Sequence, residues 1–127
     1  MRYMLMHKLD ETRTEAFNPS PEFMARMDGF MKEVAQSGVL LAAEGLCQTS
    51  DGATRITVSG GKTTVTDGPF TETKELIAGF ALLDVRSHGE AVEWGQRFVQ
   101  VFADTVGDVE VDVRRVFEMP EEGMPPA

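Results

Sequence analysis

The stretch Ile77-Ala-Gly-Phe-Ala-Leu-Leu-Asp-Val85, followed at once by Arg-Ser-His-Gly-Glu90, decides the fold. The first part is almost continuously apolar over the length of a strand, which predicts a strand buried in a sheet. Ser87 and Glu90 have the spacing of a capping box, which predicts a helix start. The apolar residues that follow at helical spacing are Ala91, Trp94, Phe98, Val101 and Phe102. The sequence therefore predicts a strand that leads directly into an amphipathic helix.

A last strand completes this unit. Val109, Val111 and Val113 alternate with charged residues, which is typical of a strand with one apolar face. The alternation slips at Arg114-Arg115. The second half of the chain thus predicts the order strand, helix, strand.

The first half of the chain repeats that order. Arg2 to Lys8 alternates with Tyr3, Leu5 and His7 on one side, and both sides are apolar as far as Met6, so we expect a strand inside a sheet. Ser20-Pro21-Glu22 predicts a helix start, and Gly38 predicts its end. Val39 to Leu46 is almost continuously apolar and predicts the second strand.

A β-hairpin separates the two halves. Thr54–Val58 and Thr63–Thr66 are β-branched runs joined through Gly60-Gly61, a typical hairpin turn. The whole order reduces to an α+β, split β-α-β arrangement with this hairpin inserted. Two helices cover one face of such a sheet, so we expect a second copy to cover the apolar residues of the other face, Met4, Met6 and Leu41. The sequence thus predicts a homodimer.

Composition excludes several classes of protein. The chain has 127 residues, which is the size of one domain, and 12 basic against 21 acidic residues give a net charge of -9. This balance argues against nucleic acid and anionic membrane surfaces as partners. No apolar run approaches the roughly 18 residues of a membrane span, so the cytoplasm is the expected location. Cys47 is alone, so we expect no intramolecular disulfide. One Cys with two His cannot form an ordinary zinc site, although carboxylates could hold a weaker metal, and we expect no metal and no cofactor.

No strong catalytic motif is present, and the candidate site residues are isolated titratable groups. His7 could act as a general base or bind a ligand, or it could be a half-buried histidine with a structural partner. Glu44 interrupts an apolar strand, so it is either an acid/base group or part of a structural network. If both side chains lie on the helix-covered face, the carboxylate should raise the pKa of His7 above about 6.5.

Two further segments have both a structural and a functional interpretation. Asp67-Gly68-Pro69 is typical turn chemistry, in which we expect Gly68 to adopt a conformation that a β-carbon resists. Thr71 to Glu75 is most simply a solvated charged face. The methionines of the first helix, Met24, Met27 and Met31, are explained by core filling, with an adaptable ligand pocket as the alternative.

The segment from Asp67 to Phe80 resembles the signature of the DGPF proteins, a branch of the YCII-related superfamily. The Met-Arg-Tyr-Met-Leu-Met opening, Gly38 to Leu46, the Ser-Gly-Gly-Lys hairpin and the Glu-Trp pair of the second helix support the resemblance. It implies a bacterial protein with a ferredoxin-like protomer that forms a dimeric α/β barrel. The resemblance extends to about Glu118, which predicts a domain over residues 1–118 and a flexible tail over 119–127.

The resemblance leaves two classes of function open. YCII-like proteins are proposed to be small-molecule enzymes with a His and an Asp in a cleft, but their histidine lies in the first helix, where Phe23 to Met27 contains none. His7 would have to replace it. The first class is an enzyme or sensor for an unknown small molecule, with His7, Glu44 and Asp67 as catalytic candidates. Its candidate ligand contacts are Tyr3, Phe70 and Glu72. The second class is a non-catalytic dimer that contacts an extracytoplasmic-function sigma factor.

Overall fold

The structure is a computed structural model that describes residues 1–119 of the chain. Its strands are β1 (Arg2–Lys8), β2 (Leu40–Gly45), β3 (Thr54–Ser59), β4 (Lys62–Asp67), β5 (Ile77–Asp84) and β6 (Glu110–Arg115). Its helices are α1 (Pro21–Gln36) and α2 (His88–Ala103), with a short 3-10 helix at Thr14–Phe17 in the segment after β1. The protein is α+β, as the sequence predicts. Within residues 1–119, no helix has the length and apolar character needed to cross a bilayer.

Four strands form one antiparallel sheet in the order β2-β5-β1-β6. β5 therefore separates β1 from β2, the two strands that α1 connects, and β1 separates β5 from β6. In the register, Leu5 is opposite Ala81 and Val113, whereas Met6 is opposite Phe80 and Asp112. Paired residues share a face of the sheet. Leu5 thus belongs to the face that α1 and α2 cover, here called the helix face, and Met6 belongs to the opposite open face.

Both helices begin where the sequence predicts. The Ser20 hydroxyl accepts a hydrogen bond from the Phe23 amide at 3.1 Å, and Pro21 takes the first helical position. The Ser87 hydroxyl accepts a bond from the Glu90 amide at 3.1 Å. The Glu90 carboxylate reaches back to accept the Arg86 amide at 3.1 Å. These bonds satisfy amides that the helices themselves cannot pair, and they fix the helix starts.

The core divides into two clusters on the helix face. The larger cluster is centred on Leu83 and Ala91, which are 1% and 0% exposed, and it includes Leu5 of β1. The smaller cluster consists of Leu9, Ala78 and Phe102 with aromatic and aliphatic side chains around them. The two clusters adjoin, because the ring of Phe30 beside the larger cluster lies 6.3 Å from the ring of Phe98 beside the smaller one.

The predicted hairpin forms a separate two-stranded sheet, here called the arm, made of β3 and β4. Gly60 and Gly61 at its tip have φ of 57° and 78°, as a tight hairpin turn requires. All strand residues of the arm are exposed except Arg55. Ile56 and Val65 pair across the two strands, and Val58 shares their face. The arm thus presents an apolar face to solvent.

The last strand ends where the side-chain alternation slips, and one predicted segment falls outside the described structure. β6 ends at Arg115, which lies opposite Tyr3 of β1. Backbone hydrogen bonds hold this end of the strand. The predicted flexible tail lies outside the described residues from Pro120 onward.

Candidate functional site

A cavity of about 330 Å³ lies between the helix face of the sheet and the two helices. Leu5 of the larger core cluster and Phe102 of the smaller one both line it, so the cavity borders both clusters. Its other lining side chains are Phe23, Met27 and Met31 from α1, Phe98 from α2, and His7, Ala43 and Ala81 from the sheet. Exposed Gly45 borders the cavity at edge strand β2, which places the solvent-accessible end there.

His7 is the polar side chain of this cavity. Its ring lies 5.1 Å from the Phe98 ring and 5.5 Å from the Phe102 ring, measured between centroids. Burial among these apolar groups lowers the pKa of His7 from 6.5 to about 4, because the charged form loses its hydration. The imidazole is therefore neutral at pH 7.

The imidazole of His7 makes no hydrogen bond within residues 1–119, and burial alone accounts for its shifted pKa. In the same part of the chain, no fully enclosed side-chain nitrogen or oxygen lacks a hydrogen-bond partner. The ring nitrogens of His7 must therefore retain access to open space. Because the ring lies in the cavity wall, a molecule in the cavity could reach them.

Gly79 creates the room that the imidazole occupies. It pairs with His7 across β1 and β5. A β-carbon at position 79 would collide with Cε1 of His7 and would lie 2.8 Å from the Glu44 carbonyl oxygen. The imidazole can occupy this position only because residue 79 has no side chain. Gly79 therefore determines where the His7 ring is held.

Glu44 does not meet His7, so the predicted pairing of these two residues is wrong. β5 lies between their strands, and Glu44 pairs with Phe80 whereas His7 pairs with Gly79. Neighbouring residues of β5 point to opposite faces, so the Glu44 side chain belongs to the open face. Glu44 is exposed and borders the cavity through its main chain. The pKa of His7 accordingly moves down instead of up.

Tyr3 shares the helix face with His7 but does not border the cavity. It is 6% exposed and packs in the larger core cluster, where its ring stacks on His88 at 5.6 Å. Leu5 lies between Tyr3 and His7 on this face and lines the cavity, whereas Tyr3 does not.

Asp67, Phe70 and Glu72 gather at the base of the arm and not at the cavity. The Thr54 hydroxyl donates to the Asp67 carboxylate at 3.2 Å. The Arg55 guanidinium lies 4.0 Å from the centre of the Phe70 ring and pairs with the Glu72 carboxylate at 3.2 Å. Phe70 and Glu72 thus meet at Arg55, and Asp67 contacts Thr54, the neighbouring residue of β3.

The turn formed by Asp67–Phe70, here called the DGPF turn, is bound to the loop that precedes β3. The Phe70 amide donates to the Thr49 hydroxyl at 3.0 Å, and the Thr49 hydroxyl donates to the Glu11 carboxylate at 2.6 Å. A β-carbon on Gly68 would collide with the Thr49 carbonyl oxygen. Gly68 is not among the glycines with positive φ, so its requirement is close approach to this carbonyl and not the unusual backbone conformation that the sequence predicts.

Sequence reasoning missed most of the cavity wall. Phe98 and Phe102 belong to the stripe that predicts the buried face of α2, and nothing in that stripe marks them as ligand contacts. Met27 and Met31 do line the cavity, as the pocket alternative for the methionines predicts, whereas Met24 is 59% exposed. The pairing of Gly79 with His7 depends on strand register, which a single sequence does not specify.

Comparison with known proteins identifies the family. The family model of the YCII-related domain matches residues 1–115. The chain belongs to the YCII-related family. This YCII-related protein is also similar to an uncharacterized protein of Rhizobium meliloti (strain 1021), with 33% identity over 98 residues. The match covers 76% of the chain and 78% of that relative.

The cavity of this YCII-related protein offers limited chemistry. A neutral imidazole supplies one hydrogen-bond acceptor and one donor. Within residues 1–119, no group of three or more His, Cys, Asp or Glu side chains is placed to hold a metal ion. The arrangement can bind and orient an apolar molecule through one polar contact.

Proposed function

We propose that this YCII-related protein binds a small molecule in the cavity between the sheet and the helices, with His7 as its polar anchor. The observation that carries the proposal is an imidazole that has no hydrogen bond within residues 1–119 although it lines an open cavity. The ring nitrogens keep access to the cavity, so a ligand there would supply the hydrogen bond that the described residues do not. The volume of about 330 Å³ is within the range of small-molecule sites.

The proposal is that the protein binds a small molecule, and it does not include catalysis of a reaction. General acid/base catalysis needs groups within hydrogen-bond reach of the reacting atoms. Among the described residues that line the cavity, His7 is the side chain that meets this requirement, because Glu44 points to the open face. Asp67 lies at the base of the arm and would have to contribute from outside the cavity.

A thermal-shift screen tests the proposal. A ligand at about 100 times its dissociation constant should stabilise the protein by roughly 2.7 kcal/mol. Ala43→Phe should fill the cavity near its open end and abolish the shift. Ala35→Phe adds the same side chain at an exposed position of α1 and should leave the shift unchanged. A screen without hits, or a shift that survives Ala43→Phe, would contradict the proposal.

We further propose that the protein is a homodimer of ferredoxin-like protomers that pack through their open faces into a dimeric α/β barrel. The strand order β2-β5-β1-β6 with both helices on one face supports this arrangement. So does the row formed by Met4 and Leu82, next to the row formed by Met6 and Phe80, on the open face. Covering these side chains would remove apolar surface from water.

The second candidate function is that of a non-catalytic dimer that contacts an extracytoplasmic-function sigma factor. The apolar face of the arm favours it, because Ile56, Val58 and Val65 are 69%, 70% and 64% exposed. A purified sigma factor of this class should coelute with the parent protein in size-exclusion chromatography. The double change Ile56→Thr and Val58→Thr should abolish the complex, and Thr57→Ser on the other face of the arm should not. Coelution that is insensitive to these changes would exclude the arm.

A further inference from the structure

We infer that the cavity takes an uncharged molecule of one or two rings that carries a single hydroxyl, and that this hydroxyl donates a hydrogen bond to His7. The inference rests on the proposed function and adds the chemical class of the ligand. Three observations support it: the size and walls of the cavity, the absence of Lys and Arg from its described lining residues, and the number of hydrogen bonds that the imidazole can make.

The walls suit a ring. The Phe98 and Phe102 rings pack against His7 and against each other, with 5.2 Å between their own centroids, and Phe23 packs at 5.0 Å against Phe102. Met27 and Met31 add flexible thioether side chains that adapt to different ring edges. A dry cavity of about 150 Å³ in another protein holds benzene. A cavity of about 330 Å³ therefore has room for one or two rings.

The lining disfavours an anionic ligand. No Lys or Arg is among the described residues that line the cavity. Lys8, the next residue after His7, points to the open face and pairs with Asp112 at 2.9 Å and Glu75 at 3.7 Å. A carboxylate would lose its hydration here without gaining a cation. The net charge of -9 also opposes its approach.

The number of hydrogen-bond donors on the ligand distinguishes a hydroxyl from an ammonium group in this cavity. An ammonium carries three donors, whereas a neutral imidazole has one acceptor nitrogen. Two donors of a buried ammonium would find no side-chain acceptor in the described lining, because the Glu44 carboxylate belongs to the open face. A hydroxyl carries one donor, which matches the single acceptor of His7. The same match excludes groups with many polar atoms, such as sugars.

The test compares four probes that share one ring: toluene, para-cresol, para-toluate and para-methylbenzylamine. Each is titrated against the full-length protein at pH 7 by calorimetry and by NMR of the His7 ring. We expect para-cresol to bind about 3- to 10-fold more tightly than toluene, which is the usual contribution of one hydrogen bond. The two charged probes should bind at least about tenfold more weakly than para-cresol. His7→Leu should reduce the affinity for para-cresol to that for toluene.

The outcomes separate this inference from the proposed function. Tightest binding of para-toluate or para-methylbenzylamine would overturn the inference and leave a small-molecule cavity in place. Equal affinity for toluene and para-cresol would show an apolar cavity without the His7 contact, and would also overturn it. If no probe binds but the thermal-shift screen finds a ligand that Ala43→Phe excludes, the inference alone fails. If the screen is also blank, both fail. The comparison of probes on the parent protein holds even if His7→Leu does not fold.

Discussion

Gly79 pairs with His7 across β1 and β5. Adding one methyl group at position 79 tests whether the imidazole needs the space that the glycine leaves. In Gly79→Ala the new β-carbon would collide with the ring and with the main chain of β2. We expect a loss of about 1 to 3 kcal/mol in the free energy of unfolding, which is typical of overpacking. Urea denaturation measures it.

Gly45→Ala is the matched control for Gly79→Ala. Gly45 pairs with Gly79 across β2 and β5, yet a β-carbon at position 45 has nothing within 4 Å. This change should be close to neutral. Equal stability of the two variants would contradict the steric role of Gly79. The His7 ring resonances should move in Gly79→Ala and stay in place in Gly45→Ala.

Burial of His7 makes the stability of the fold depend on pH. The pKa of His7 is about 4 in the folded protein and 6.5 in the unfolded chain, so the unfolded chain binds more protons between these values. The free energy of unfolding should therefore be highest, as far as His7 contributes to it, above pH 6.5. It should fall as the pH decreases toward 4. The difference between these two pKa values corresponds to a loss of at most roughly 3 kcal/mol in the free energy of unfolding.

Two histidine variants isolate this pH dependence. His7→Leu removes the buried imidazole and should reduce the difference in unfolding free energy between pH 7 and pH 4. His88→Gln removes the other imidazole, which is exposed, and should leave that difference in place. If His7→Leu shows the same pH dependence as the parent, the cavity does not hold a desolvated imidazole.

At the residue scale, the sequence could predict which chemical groups are available but not which of them meet. His7 is conspicuous as an imidazole at the end of an apolar strand, and the structure does place it in the cavity. Glu44 is equally conspicuous, yet its side chain points to the other face because Phe80 is its partner. A shift of one residue in register would reverse that outcome.

Among the elements, the DGPF turn owes its shape to contact with the loop before β3. Gly68→Val should lower the melting temperature, because the added carbons would collide with the Thr49 carbonyl. The Gly68 amide also donates to the Ala53 carbonyl at 2.8 Å, so displacement of the turn would break this bond. A melting temperature equal to that of the parent would show that the turn does not need this close approach.

Asp67→Asn tests the charge of the DGPF turn, whereas Gly68→Val tests its packing. An amide oxygen can still accept the Thr54 hydroxyl, which now donates to the Asp67 carboxylate at 3.2 Å. Stability should therefore remain close to that of the parent, while the charge is lost. Asp67 lies outside the cavity, so we expect ligand binding in the thermal-shift assay to be unchanged. Loss of binding with unchanged stability would instead give Asp67 a chemical role.

The elements themselves follow closely from local sequence. Ser20 and Ser87 cap their helices, and Gly60-Gly61 turns the arm, because these features depend on neighbouring residues alone. The short 3-10 helix at Thr14–Phe17 is different. It is held from a distance, since the Arg13 guanidinium donates to the Val106 and Asp108 carbonyls at 2.8 and 2.9 Å. No local pattern marks such a contact.

For the whole molecule, the decisive quantity is the number of copies in the assembly. Sedimentation at micromolar concentration should give about twice the chain mass of 14.0 kDa, because the open face is apolar around Met4 and Met6. Met6→Asp would place an unpaired charge within that contact and should shift the mass to that of one chain. Ala35→Asp adds the same charge on an exposed part of α1 and should not. A parent mass near 14.0 kDa would reject the dimer.

The cavity is a property of the whole molecule, which is why the sequence predicts so little of it. It borders both core clusters, and its wall combines side chains from both helices with three strands. Apolar periodicity predicts that Phe98 and Phe102 face inward. Whether inward-facing side chains fill the interior or leave a gap depends on how the helices sit on the sheet.

The exposed arm gives this protein a natural point of attachment for a label or an inserted peptide. Its tip is a pair of glycines in which both β-carbon positions are open, and its base is bound by the DGPF turn. Exposed tips of small residues accept extra chain well. A fluorophore or an epitope placed between Gly60 and Gly61 should leave the cavity as it is, so ligand occupancy could be followed in living cells without altering the binding residues.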